Sequence, residues 1–179
     1  MAMQISLYDA SVSSYLQTLD AVAGFLDRGL QFCRESGIAP MEMIETRLFA
    51  DMQPLRFQIQ RIAFHSAGAI AAIRSGAVDM PSTPFPADYG AAQALIDETR
   101  QALQRIEPEE IDRRAGADIV FTARGITRLF SAEGFLMSFS LPNFHFHATT
   151  AYNILRSRGV PLGKLDYMGA LRLKSFETP

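Results

Sequence analysis

Three histidines, His65, His145 and His147, are the only imidazoles in this chain of 179 residues, and they are its sole candidates for a nitrogen-rich metal site. Spacing decides which of them can act together. On a helix, residues two apart lie about 200° apart around the axis, so His145 and His147 cannot chelate one ion as a pair. His147 shares a face with Phe144, Ala151 and Ile154, which marks it as the inward-facing member, while His145 turns toward Thr149 and Tyr152. His65 aligns with Gln58, Ile62 and Ala69 beside a largely apolar stripe. Two helices that each direct an imidazole inward are how metal sites in bundles are built. Two imidazoles are still one ligand short of an ordinary catalytic zinc set, and a histidine inside a bundle more often bonds a carbonyl or a neighbouring side chain.

Other chemistry is thinner. Cys33 is the only cysteine, so no internal disulfide can form, and its place in an apolar stripe reads as a small core residue of a cytoplasmic protein. The G-x-S-x-G, H-E-x-x-H, C-x-x-C and G-x-x-x-x-G-K-[ST] patterns do not occur, so the common hydrolase, zincin, redox and P-loop routes lack their first requirement. Asp51, Glu133 and Asp166 fall near expected helix ends or loops, where a carboxylate serves as a cap or a solvated charge.

The elements that must hold these residues are helical. From Leu7 to Ser36, apolar residues recur every three or four positions, and Gly37 followed by Pro40 ends that first helix. A second starts at Asp51-Met52-Gln53-Pro54 and runs to Gly76. The three prolines within residues 80–86 make a loop too short to divide domains. A third helix spans about Asp88 to Ile106 and stops at Pro108. β-Branched and aromatic residues on either side of Gly125, between Ala115 and Phe130, predict a short hairpin. The last helix runs from about Ala132 to Arg158, with a kink or a fresh start near Pro142. Beyond Gly163, the tail from Lys164 to Pro179 is expected to pack loosely or cross to a partner.

The composition suits one packed domain over residues 1–179, with 48% apolar and 20% charged residues. A net charge of −2 with scattered Lys and Arg gives no pull on a phosphate backbone, so no nucleic-acid partner is expected. The apolar runs are too interrupted for a membrane span, and Met1 to Asp9 reads as no export signal. The 13 phenylalanines and 8 methionines, with Phe135, Met137 and Phe139 crowded on the last helix, exceed what one inner stripe absorbs and predict a homodimer.

Two long segments carry a family resemblance. Residues 141–156, LPNFHFHATTAYNILR, followed by GVPLGKLD at 159–166, resemble the C-terminal signature of a bacterial domain-of-unknown-function family within the DinB/YfiT-like metalloenzyme superfamily. The opening SLYDA at 6–10 and LFADMQPL at 48–55, with Gln58 and Gln60, resemble the same family. The resemblance implies an all-α four-helix bundle with overhand connections and a short β-hairpin before the last helix, often dimeric. It also implies a divalent metal such as zinc or nickel, held in better-studied relatives by one histidine from the second helix and an H-x-x-x-H pair from the last. Some of those relatives are thiol transferases or isomerases. Here Ala151 stands four residues after His147 and Asn143 four before it, so the pair is reduced to N-x-x-x-H and the metal candidates are His65, His147 and Asn143.

Two functions are therefore expected to compete. In one, a small-molecule binder or enzyme has a pocket between the second and last helices lined by Gln58, His65, Asn143 and His147, with Gln58 and Tyr152 as ligand-binding groups. In the other, a non-catalytic dimeric bundle uses the same residues as a buried polar network in place of a metal site.

Overall fold

The computed structural model describes residues 5–123 and 125–173. Its first helix, α1 (Ser14–Ser36), continues from a π-helical turn at Asp9–Ser13 and buries Tyr15, Leu19, Val22, Phe25, Leu26 and Cys33 along one face. It ends where Gly37 adopts a left-handed conformation (φ 69°) and returns its N–H to the Cys33 carbonyl. After the short α2 (Pro40–Ile44) comes the second long run. It comprises α3 (Leu55–Ala63), a π-helical turn at Phe64–Gly68, and α4 (Ala69–Ser75), which stops at left-handed Gly76. The third is α5 (Tyr89–Gln104), capped by the Asp88 carboxylate, which accepts the Ala91 N–H. The short α6 (Pro108–Asp112) follows. The last run joins α7 (Ala132–Phe135), a π-helical turn at Leu136–Ser140, and α8 (Leu141–Ser157). Pro142 sits in the first turn of α8, where the sequence predicts a kink or a fresh start; the run instead continues with helical dihedrals at Ser140 and Leu141, and the wide π-helical turn before the proline accommodates its missing N–H.

Helix α3 lies along α8 and α5, and α1 packs on α5 and α8, so the stripes pool into one core. The closest approach is at Gly29 of α1, where a methyl group would come within 2.3 Å of the Tyr89 hydroxyl, itself bonded to the Leu26 carbonyl at 2.8 Å. No helix among the described residues is long and apolar enough to cross a membrane.

The fold is mostly helical with a small sheet. The expected hairpin forms from β2 (Asp118–Ala123) and β3 (Ile126–Ser131), but a third strand, β1 (Ala77–Asp79), pairs with β2 in parallel, matching Ala77 to Val120. Three residues carry too little pattern to read as a strand, and their partner is distant in sequence. The hairpin also changes the account of the apolar surplus on the last run. Phe121 and Phe130 cover Phe139, and Phe130 packs on Phe135, leaving Met137 as the exposed one of the three (62%).

The tail corrects another expectation. Its first part is tied to its own chain, because α9 (Lys164–Met168) packs on α1, Gln17 Nε2 donates to the Met168 carbonyl (2.9 Å), and Arg28 pairs with Asp166 (3.1 Å). Polar anchors and the Tyr167 ring against Tyr152 hold it, contacts with distant residues that periodicity does not register. Its end, residues 174–179, lies outside the described residues.

Candidate functional site

Residues 57, 58, 61, 64 and 65 recur at helical spacing on the side of the second long run that meets α8. Gln58 and His147 face each other across that contact, with His147 Nδ1 2.8 Å from Gln58 Oε1. The Gln58 amide is oriented by its other end, because Nε2 donates to the Gln53 carbonyl at 3.0 Å. An amide oxygen only accepts, so His147 carries its proton on Nδ1 and presents a lone pair at Nε2.

The His65 ring lies 5.7 Å from that of His147 and nearly parallel to it, at 14°. Phe64 and Phe139 meet it edge-on at 4.8 and 5.4 Å. Among the described residues, no side chain hydrogen-bonds to its ring nitrogens. Both imidazoles are buried, His65 to 4% exposure and His147 to 9%. Burial holds His65 down to about 3, helped by His147 and Arg61, and holds His147 down to about 4, helped by Arg61. Both are neutral at pH 7.

The backbone beneath His65 is fixed by a buried relay. Ser140 has one hydroxyl hydrogen and gives it to the His65 carbonyl (2.8 Å), so Tyr15 Oη must be the donor in its 2.7 Å bond to Ser140 Oγ. Burial raises the Tyr15 pKa far above its ordinary value, which keeps that donor protonated. This chain links α1 and the two π-helical turns, and its acceptor is a carbonyl in a turn where regular helical bonding is interrupted.

Sequence reasoning missed Arg61 and its rings. The Arg61 guanidinium carbon lies 4.8 Å from the Phe57 ring and 6.0 Å from the Phe64 ring. Phe57 in turn meets His147 at 5.9 Å and Phe85 at 5.4 Å. Gln60 holds the proline-rich loop that carries Phe85, donating to the Thr83 carbonyl at 2.5 Å. The available signal was helical spacing, since 57, 61 and 64 are offset by four and three.

Of the other expected site residues, Asn143 stays one turn before His147 on α8 and Tyr152 faces away toward α1 and α9. Asn143 turns back along its own helix, donating from Nδ2 to the Phe139 carbonyl at 2.7 Å. Tyr152 packs against Phe25 and Tyr167, with its hydroxyl 3.5 Å from the Leu162 carbonyl. Two large hollows, of about 660 and 700 Å³, share Ile5, Ala10 and Met137 in their linings and include neither His65 nor His147.

These donors do not fit a resident divalent metal. Among the described residues, no group of three His, Cys, Asp or Glu side chains comes close enough to hold one. Asn143 offers only a weakly ligating amide oxygen, and the Arg61 charge, which lowers both imidazole pKa values, would also repel a cation bound between them.

The fold, mostly helical with a small sheet at one side, is DinB-like. A DinB family member protein from Shewanella denitrificans has a crystal structure that superposes with a TM-score of 0.81, covering 94% of this chain and 95% of that one at 24% identity. The chain belongs to the family defined by the domain of unknown function DUF1993, whose model matches residues 7–168. A search of curated proteins finds no match.

Proposed function

We propose that this protein binds a small molecule at the His65–His147 pair between α3 and α8, without a resident metal. The observation that carries this reading is the stacked pair of neutral imidazoles, with His147 Nε2 left free by the Gln58 bond to Nδ1, beside an arginine whose Nη1 is buried without a hydrogen-bond partner among the described residues. A buried donor left unpaired costs roughly 1–3 kcal/mol, which a ligand accepting from Arg61 Nη1 would recover. Binding is favoured over proton transfer, because a base near 4 is poorly matched to work at pH 7.

The competing reading, a purely structural network, draws on the parts that are satisfied, Gln58 with His147 and the Tyr15–Ser140–His65 relay, and on the large hollows lying elsewhere. Nitrogen-15 histidine spectra recorded during a fragment screen separate the two: ligands that move the His65 and His147 ring signals together support a site, and ring signals that never move refute it. Metal analysis of untagged protein tests the other half, since stoichiometric zinc or nickel would overturn a metal-free site.

The four long helical runs are proposed to form a four-helix bundle with overhand connections and to pair as a homodimer. Exposed Ile5 (77%) and Met137, which line both large hollows, support the pairing. Sedimentation showing only monomer at micromolar concentration would refute it.

A further inference from the structure

Five side chains close a circuit around the imidazole pair. Arg61 lies over Phe57 at 4.8 Å, Phe57 meets His147 at 5.9 Å, His147 faces His65 at 5.7 Å, His65 meets Phe64 at 4.8 Å, and Phe64 returns to Arg61 at 6.0 Å. The members differ in what they can accept. The phenyl rings offer apolar faces, and His147 Nε2 offers a lone pair. Arg61 supplies the one full charge in the circuit.

That charge is uncompensated. Among the described residues, Arg61 forms no ion pair with a carboxylate, and its Nη1 is buried without a hydrogen-bond partner. Several other arginines are satisfied within the chain, by carboxylates at Arg74, Arg100 and Arg158 and by backbone carbonyls at Arg47, Arg114 and Arg156, whereas among the described residues Arg61 has neither on Nη1. A guanidinium drawn over two aromatic rings and left without a counter-charge is suited to an anion arriving from outside, and its planar fork matches a carboxylate.

We propose that the circuit of Arg61, Phe57, His147, His65 and Phe64 binds a small organic acid, with its carboxylate on Arg61, its apolar body between the phenyl rings and a proton-donating group on His147 Nε2. This rests on the binding reading above and adds the charge class of the ligand.

The test uses the full chain and matched probes: benzoate, phenylacetate and mandelate against benzamide, phenylacetamide and mandelamide, followed through the histidine ring signals at pH 7. The acids should shift the His65 and His147 signals saturably, and the amides should bind roughly tenfold more weakly or worse. Arg61→Gln should bring the acids down to the level of the amides, and Arg61→Lys, which keeps the charge but loses the fork, should retain part of the difference. Should Arg61→Gln fail to fold, the acid-to-amide ratio on the unaltered chain and on Arg61→Lys decides. Amides that bind as tightly as acids, or acids indifferent to Arg61→Gln, would overturn the acid assignment while leaving the binding site standing. If none of the probes moves either ring signal while the Nδ1–H signature of His147 is intact, both the acid assignment and the site fail.

Discussion

The two faces of α8 carry the same residue type two positions apart and use it in opposite ways. On the face toward α3, His147 is buried, fixed in one tautomer by Gln58 and held neutral. On the face toward α9, His145 is exposed and shares the Tyr167 hydroxyl with Thr149, at 3.3 and 3.1 Å. Identity in sequence therefore says little about chemistry here. The roughly 200° between positions two apart on a helix places one imidazole where the protein replaces its hydration and leaves the other where water still supplies it.

The largest effect expected from this difference is in acid. Both buried histidines have folded-state values, about 3 and about 4, below the ordinary 6.5, so the unfolded chain takes up protons that the folded chain refuses. Their contribution to stability is complete above about pH 6.5 and is lost as pH falls toward 4 for His147 and toward 3 for His65, by an amount on the order of several kcal/mol. Melting temperatures measured across that window should fall less steeply for His147→Ala than for the native protein. An unchanged slope would mean that His147 is not held neutral by its surroundings.

At pH 7, His147→Ala should cost about 1–3 kcal/mol, through the space left behind and the stranded Gln58 oxygen. Denaturant titration reads this directly. Equal losses for His145→Ala and His147→Ala would erase the distinction between the two faces.

Tyr15→Phe sharpens the comparison from beneath, since it removes the donor to Ser140 but leaves Ser140 bonded to the His65 carbonyl. A loss of about 1 kcal/mol is expected, with the His147 tautomer signal preserved. A change in that signal would show that the relay positions both imidazoles. The smallest effect belongs to His145→Ala, within about 0.5 kcal/mol by the same titration, because its single weak bond is exposed to solvent.

Much of this was legible beforehand, for a physical reason. Helical periodicity is local, so the long runs, the stop at Gly37 and the inward turn of His147 all follow from residues within a few positions of one another. The pairing of His65 with His147 was legible in part, because each could be placed on an inner face, and two inner faces of one core are near each other.

The chain by itself therefore determined which residues line each helix face, and with that the inward turn of His147 and the place of His65 beside an apolar stripe. The tertiary structure alone decided which groups from different elements meet. It turned Asn143 back onto the Phe139 carbonyl, carried Tyr152 away to Phe25 and Tyr167, set Gln58 against His147 Nδ1, and added β1 to the hairpin. It also gathered Phe57, Arg61 and Phe64 around the pair without giving Arg61 a counter-charge. Periodicity reports the angle of a side chain about its own helix axis, whereas a contact between helices depends on their separation, offset and crossing, which arise only when the whole core is packed.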